Sequence, residues 1–102
     1  MKPTTDFVRI VGGRRYSVRT ATLVASDLFW GGHDARFHRC NTWLYRTPRG
    51  AFFAVRRTQG QGEQDTLTPV SREEALELYQ GTLSVHELPY EEVFPDAGVE
   101  DA

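Results

Sequence analysis

A single cysteine, Cys40, and a single lysine, Lys2, are the scarcest reactive side chains in this chain. One cysteine cannot close an internal disulfide, so a reducing compartment is the simpler expectation. No apolar run approaches the ~18 residues that a membrane helix requires. The opening MKPTTDFVRIVGG has no apolar stretch of the ~7–15 residues that mark a secretion signal, so a cytoplasmic protein is expected. Neither an internal repeat nor a linker divides the chain. No Gly-x-Ser-x-Gly elbow surrounds Ser17, Ser26, Ser71 or Ser84, which removes the commonest serine-nucleophile signature. Gly60-Gln61-Gly62 lacks a third glycine and a lysine and runs into acidic residues, so it is not read as a phosphate-binding loop.

What the chain does contain is enough apolar material for one core. With 39% apolar and 12% aromatic residues over 102 positions, it is too apolar for disorder and the right length for one domain. A single domain is expected over residues 1–95, with 96–102 a frayed acidic tail. Eleven of the twelve basic residues are Arg, a usage that fits a GC-rich bacterial or phage genome rather than any mechanism.

The net charge of −2 conceals a segregation. Residues 1–60 hold 11 basic and 3 acidic side chains, whereas residues 61–102 hold one Arg against 11 carboxylates. The halves are therefore +8 and −10, and this patterning is the most informative feature of the sequence.

Two hairpins can be read with mechanisms. The first joins Phe7–Val11 to a strand starting near Arg15 through Gly12, Gly13 and Arg14, with glycine supplying positive φ. A three-residue loop pairs Ile10 with Tyr16 and Val8 with Val18, gathering four apolar side chains on one face. A two-residue loop sets Ile10 against Arg15 and Val8 against Ser17. Because a one-residue slip flips a strand, packing favours the first register. The second hairpin, Thr42–Arg46 with Ala51–Arg57, turns through Thr47-Pro48-Arg49-Gly50. Proline suits a type I turn and Gly50 the left-handed position after it. This pairs Tyr45 with Phe53 and Trp43 with Val55 on an aromatic face, and leaves Leu44, Arg46, Phe52 and Arg56 on the other.

Segments 27–41 and 58–65 read as loops, with a short strand near Thr66–Thr68. Ser71-Arg72-Glu73-Glu74 is a capping box that opens a helix, and Gly81 is a left-handed stop. Ala75, Leu76, Leu78 and Tyr79 share its apolar side and are expected to cover the aromatic face of the sheet. Pro89–Phe94 predicts one more turn, docking Tyr90, Val93 and Phe94, with Pro95 as its stop. The fold class is α+β: a small antiparallel meander of two hairpins, about four or five strands, with one capped helix on one face.

Three functional readings compete. The leading one is a non-catalytic binding or regulatory module that engages a protein through an acidic carboxyl-terminal surface, with Glu73, Glu77, Glu91 and Glu92 as contacts. The alternative is nucleic-acid binding through an Arg-rich sheet face of Arg9, Arg15, Arg19, Arg46 and Arg56, with Phe52 as a stacking ring. The third is a small nuclease or metal enzyme around His33, His38 and Cys40. Their His-x4-His-x-Cys spacing matches no standard zinc pattern, with His86 the one obvious fourth ligand. No cofactor and no metal site is therefore expected. The discriminating question is whether the acidic segment folds over the arginines or leaves them open.

Overall fold

The computed structural model describes residues 7–27, 40–58 and 64–98. It is α+β, as the patterning predicts, with seven strands among the described residues in two antiparallel sheets. Strands β1 (Val8–Val11) and β2 (Arg14–Ser17) form a separate hairpin. The main sheet holds β3 (Thr22–Ser26), β4 (Cys40–Arg46), β5 (Phe52–Thr58), β6 (Gln64–Val70) and β7 (Val85–His86), in the order β6-β5-β4-β3-β7. Helices α1 (Arg72–Gln80) and α2 (Tyr90–Val93) follow β6 and β7 respectively.

The β4–β5 turn follows the local chemistry of its residues. Gly50 takes φ 89°, its N–H donates to Thr47 O at 2.9 Å, and Thr47 N donates to Ala51 O at 2.8 Å. Tyr45 then faces Phe53 and Trp43 faces Val55. Tyr45 and Phe53 stack at 5.3 Å between centroids.

The first hairpin takes the other register. Val8 pairs with Ser17, Arg9 with Tyr16 and Ile10 with Arg15. Gly12 and Gly13 both have positive φ, 59° and 78°, which is what a two-residue type I′ turn needs. Packing does not oppose this choice. Tyr16 and Val18 point inward in either register, and here Phe7 and Val11 join them in place of Val8 and Ile10. Arg9 also turns inward, and its guanidinium donates to the backbone carbonyl of Leu67. Ile10 is left 65% exposed and Val8 46% exposed.

The aromatic face of the sheet is covered by this hairpin, and the expected helical cover is not there. Tyr16, Val18, Trp43, Tyr45, Phe53, Val55 and Leu67 form one core between the hairpin and the sheet. The helices cover the opposite face, where Val24, Ala25, Leu44 and Phe52 meet Ala75, Tyr79, Leu83, Val93 and Phe94. A bulge in β3 between Leu23 and Ala25 explains how two consecutive residues, Val24 and Ala25, both join the helix-side core. The carbonyl of bulge residue Val24 accepts from Glu87 N at 2.8 Å and Leu88 N at 3.3 Å, tying down the segment that leads into α2.

Helix α1 starts as the sequence predicts. Ser71 Oγ accepts from Glu74 N, and a Glu74 carboxylate oxygen accepts from Ser71 N, both at 3.1 Å. A cap of this type contributes roughly 0.5–2 kcal/mol. Gly81 does end the helix, but at φ −110° rather than in the left-handed region. Its role is spatial, because a Cβ there would sit 3.0 Å from Glu77 O. Ala97 packs against the helix-side core, and Tyr90 OH donates to Gly98 O at 3.0 Å.

Candidate functional site

The two covers of the sheet divide the charges. On the helical side, Glu73 and Glu77 lie exposed on α1, and Glu91 and Glu92 lie exposed on α2. The last turn of each helix carries no basic residue. The helices are near neighbours, with the Tyr79 and Tyr90 rings 6.0 Å apart. The nearest cation on α1, Arg72, has its guanidinium 5.7 Å from the centre of the Phe94 ring. Burial raises the pKa of Tyr79 above the usual phenol value, and the negative charge of Glu91 raises it further.

On the hairpin side, a cleft of about 680 Å³ opens between the tips of the two hairpins. Arg14, Arg15 and Thr20 stand on one wall, and Thr47, Pro48 and Arg49 on the other. All three guanidinium-bearing residues are exposed. No Asp or Glu lines the cleft among the described residues. The single described carboxylate between residues 7 and 58 is Asp27, and its Oδ1 accepts from Thr42 N at 2.7 Å.

The six residues expected to make an Arg-rich sheet face are not brought together. Arg9 shares a face with Tyr16 and is committed to Leu67 O. Arg15 stands on the outer face of the hairpin, opposite Ile10. Arg19 is exposed in the turn after β2. Arg46 reaches α2, where its guanidinium donates to the backbone carbonyl of Glu92 at 3.2 Å. Phe52 is 5% exposed and stacks on Phe94 at 5.5 Å, so its ring has no free side for a base. Arg56 is exposed on the helix-side face, in register with Thr42. Of the six, only Arg15 belongs to the cleft. Sequence reasoning missed Arg14 and Arg49. Both sit beside turn glycines, Gly13 and Gly50, so the local signal was a pair of arginine-bearing hairpin tips.

His33 and His38 lie outside the described residues, as does the Cys40 side chain. Gly60, Gln61 and Gly62 lie outside them too. His86, the expected fourth ligand, has Nε2 2.9 Å from both Tyr79 O and Leu83 O. Its ring stacks on Tyr79 at 3.8 Å. With two carbonyls as neighbours, Nε2 carries the proton and donates, so that nitrogen offers no lone pair to a metal. No group of three or more His, Cys, Asp or Glu side chains with metal-binding geometry occurs among the described residues. No described helix is long and apolar enough to cross a membrane.

Comparison with known proteins finds no matching family model, no similar curated protein and no similar solved structure.

Proposed function

We infer that the chain is a non-catalytic binding module of the cytoplasm that engages a protein partner through the acidic outer surface of α1 and α2. The observation that carries this reading is where the carboxylates point. Among the described residues, no carboxylate of the acidic segment lines the cleft that holds the exposed Arg14, Arg15 and Arg49. The segment's contact with Arg46 is made by the backbone carbonyl of Glu92 and leaves the side chain exposed. Glu73, Glu77, Glu91 and Glu92 thus present four negative charges on one layer, over a buried core that holds the two helices in place. Such a surface steers and orients a basic partner. Leu76 and Leu78 on the same helix pack against the core and are only partly buried, so some apolar surface lies beside the carboxylates.

The test is affinity capture from the host lysate with the full chain as bait. A basic protein should copurify. Its retention should fall about tenfold or more when Glu73, Glu77, Glu91 and Glu92 are all changed to Gln, since rim charges mainly set association. The same complex should survive Arg14→Ala, Arg15→Ala and Arg49→Ala. A complex that withstands loss of all four carboxylates, or no copurifying protein, would overturn the reading.

A further inference from the structure

We propose that the cleft between the two hairpin tips, with Arg14, Arg15 and Arg49 on its walls, binds the phosphodiester backbone of nucleic acid without reading its bases. This site is independent of the acidic helical surface and lies on the opposite side of the central sheet. Three observations converge on it.

The first is the residue type and its placement. Guanidinium groups match phosphate oxygens in a two-pronged geometry that an ammonium cannot reproduce. Here the three arginines come from two separate hairpins and line a space of about 680 Å³, with Arg15 at its outer edge. Thr20 and Thr47 add hydroxyl groups to the same walls, and hydroxyls of this kind commonly contact backbone phosphates.

The second is the lack of internal neutralisation. With no described Asp or Glu lining the cleft, three like charges share its lining without a carboxylate among them. That arrangement does nothing for stability. Elsewhere in the same chain, Arg9, Arg46 and Arg72 are absorbed by a carbonyl, a carbonyl and an aromatic ring. The cleft arginines are exposed, and an external polyanion would supply the missing charge.

The third decides between backbone and base recognition. Sequence-tolerant single-strand binders that read by stacking present exposed aromatic rings. Among the described residues the one aromatic on the cleft wall, Tyr16, is 8% exposed, and its ring lies edge-on to Phe53 at 5.8 Å. Base stacking is then not open to these walls, and contact with phosphate through the arginines is. The net charge of −2 gives no general attraction to polyanions, so binding has to come from a local concentration of arginine such as this one.

The experiment is fluorescence anisotropy of the full chain with labelled duplex DNA and labelled single-stranded RNA, each in two unrelated sequences. Three phosphate contacts predict a log–log salt slope of about −2.7 for duplex and about −2.1 for single strands. From 50 to 200 mM salt, affinity should drop about 40-fold and about 20-fold respectively. The two sequences of each type should bind alike. Each single Arg→Ala change should reduce the slope by about one contact, and the triple Arg→Ala variant should lose binding while keeping its melting temperature. The triple Arg→Lys variant should keep the slope at lower affinity. Absence of binding at 50 mM salt, binding that survives the triple Arg→Ala change, or a strong preference for one base sequence would overturn the proposal. Competition by poly-glutamate as effective as nucleic acid at equal charge would assign the cleft to acidic peptides instead, and would overturn it as well.

Discussion

The two faces of the five-stranded sheet are both sealed, but by covers of different character. On one side α1, α2 and the segments around them close over Val24, Ala25, Leu44, Ala75 and Leu83, all with no exposure at all. Their outer surface is acidic. On the other side a two-stranded hairpin covers Trp43, Tyr45, Phe53 and Val55, and its own core residues Tyr16 and Val18 keep a little exposure. Its outer surface carries Val8, Ile10 and Arg15. The helical cover is attached through a run of packed rings, Phe52 on Phe94 and Phe94 edge-on to Tyr79 at 5.6 Å. The hairpin is attached through Tyr16 on Phe53 and the Arg9 guanidinium on Leu67. Among the described residues, Glu73, Glu77, Glu91 and Glu92 thus stand exposed on the helical cover and Arg14 and Arg15 on the hairpin, while Arg46 and Arg56 face the helical side.

Whether the hairpin covers a true core is tested at Trp43. Trp43 is 2% exposed on the hairpin side. Truncating a buried tryptophan removes its transfer free energy and leaves a cavity, so Trp43→Ala should cost ~3–5 kcal/mol in chemical denaturation. A loss below ~1 kcal/mol would mean that the hairpin is a loose flap and that only the helical side is packed.

A second effect separates the covers by pH. Burial pushes the Tyr45 phenol under the hairpin up to about 12, whereas Tyr79 under the helices is raised by burial and by Glu91. An unfolded tyrosine titrates near ~10. The folded state therefore favours the neutral phenol. For Tyr45 the associated stability is complete below about pH 10 and is lost as pH climbs through about 12. Tyr45→Phe should extend stability to higher pH. Glu91→Gln should lower the Tyr79 titration in phenolate absorbance and leave Tyr45 where it is. Native-state titration of Tyr45 near ~10 would show that the hairpin admits water to the sheet.

What could be read in the sequence followed from chemistry that is local. The capping box at Ser71 and Glu74, the Pro48-Arg49-Gly50 turn and the Tyr45–Phe53 pairing each depend on residues a few positions apart or joined by one turn. What was missed depended on a second layer. Trp43-Leu44-Tyr45 and Phe52-Phe53-Ala54-Val55 are buried without interruption. That is the pattern of a sheet covered on both faces, and assigning the only cover to α1 ignored it. Strand β3 was missed because it is five residues long and bulged, and β7 because two residues beside β3 carry no periodicity. The cleft was illegible for a related reason. Arg14 and Arg49 become neighbours only once the first hairpin folds back over the aromatic face, and that placement is not encoded in either turn alone.

The smallest expected effect tests the hairpin register. Two forces competed there: apolar content favoured Ile10 and Val8 inward, and turn geometry favoured two positive-φ glycines between Val11 and Arg14. Turn geometry prevails because its alternative gains little, since Phe7 and Val11 fill the inward positions that Val8 and Ile10 give up. Ile10 at 65% exposure is then a surface residue. Ile10→Thr removes apolar atoms already in water, keeps a β-branched side chain in a strand, and should change stability by no more than ~0.5 kcal/mol. Under the other register Ile10 would face Tyr16 in the core, and the same change would bury an unpartnered hydroxyl besides losing packing. Val11→Thr supplies the internal control. It replaces a residue packed against the hairpin-side core and should be the costlier of the two. Urea denaturation of both variants settles the order, and an Ile10→Thr loss above ~2 kcal/mol, exceeding that of Val11→Thr, would restore the three-residue loop.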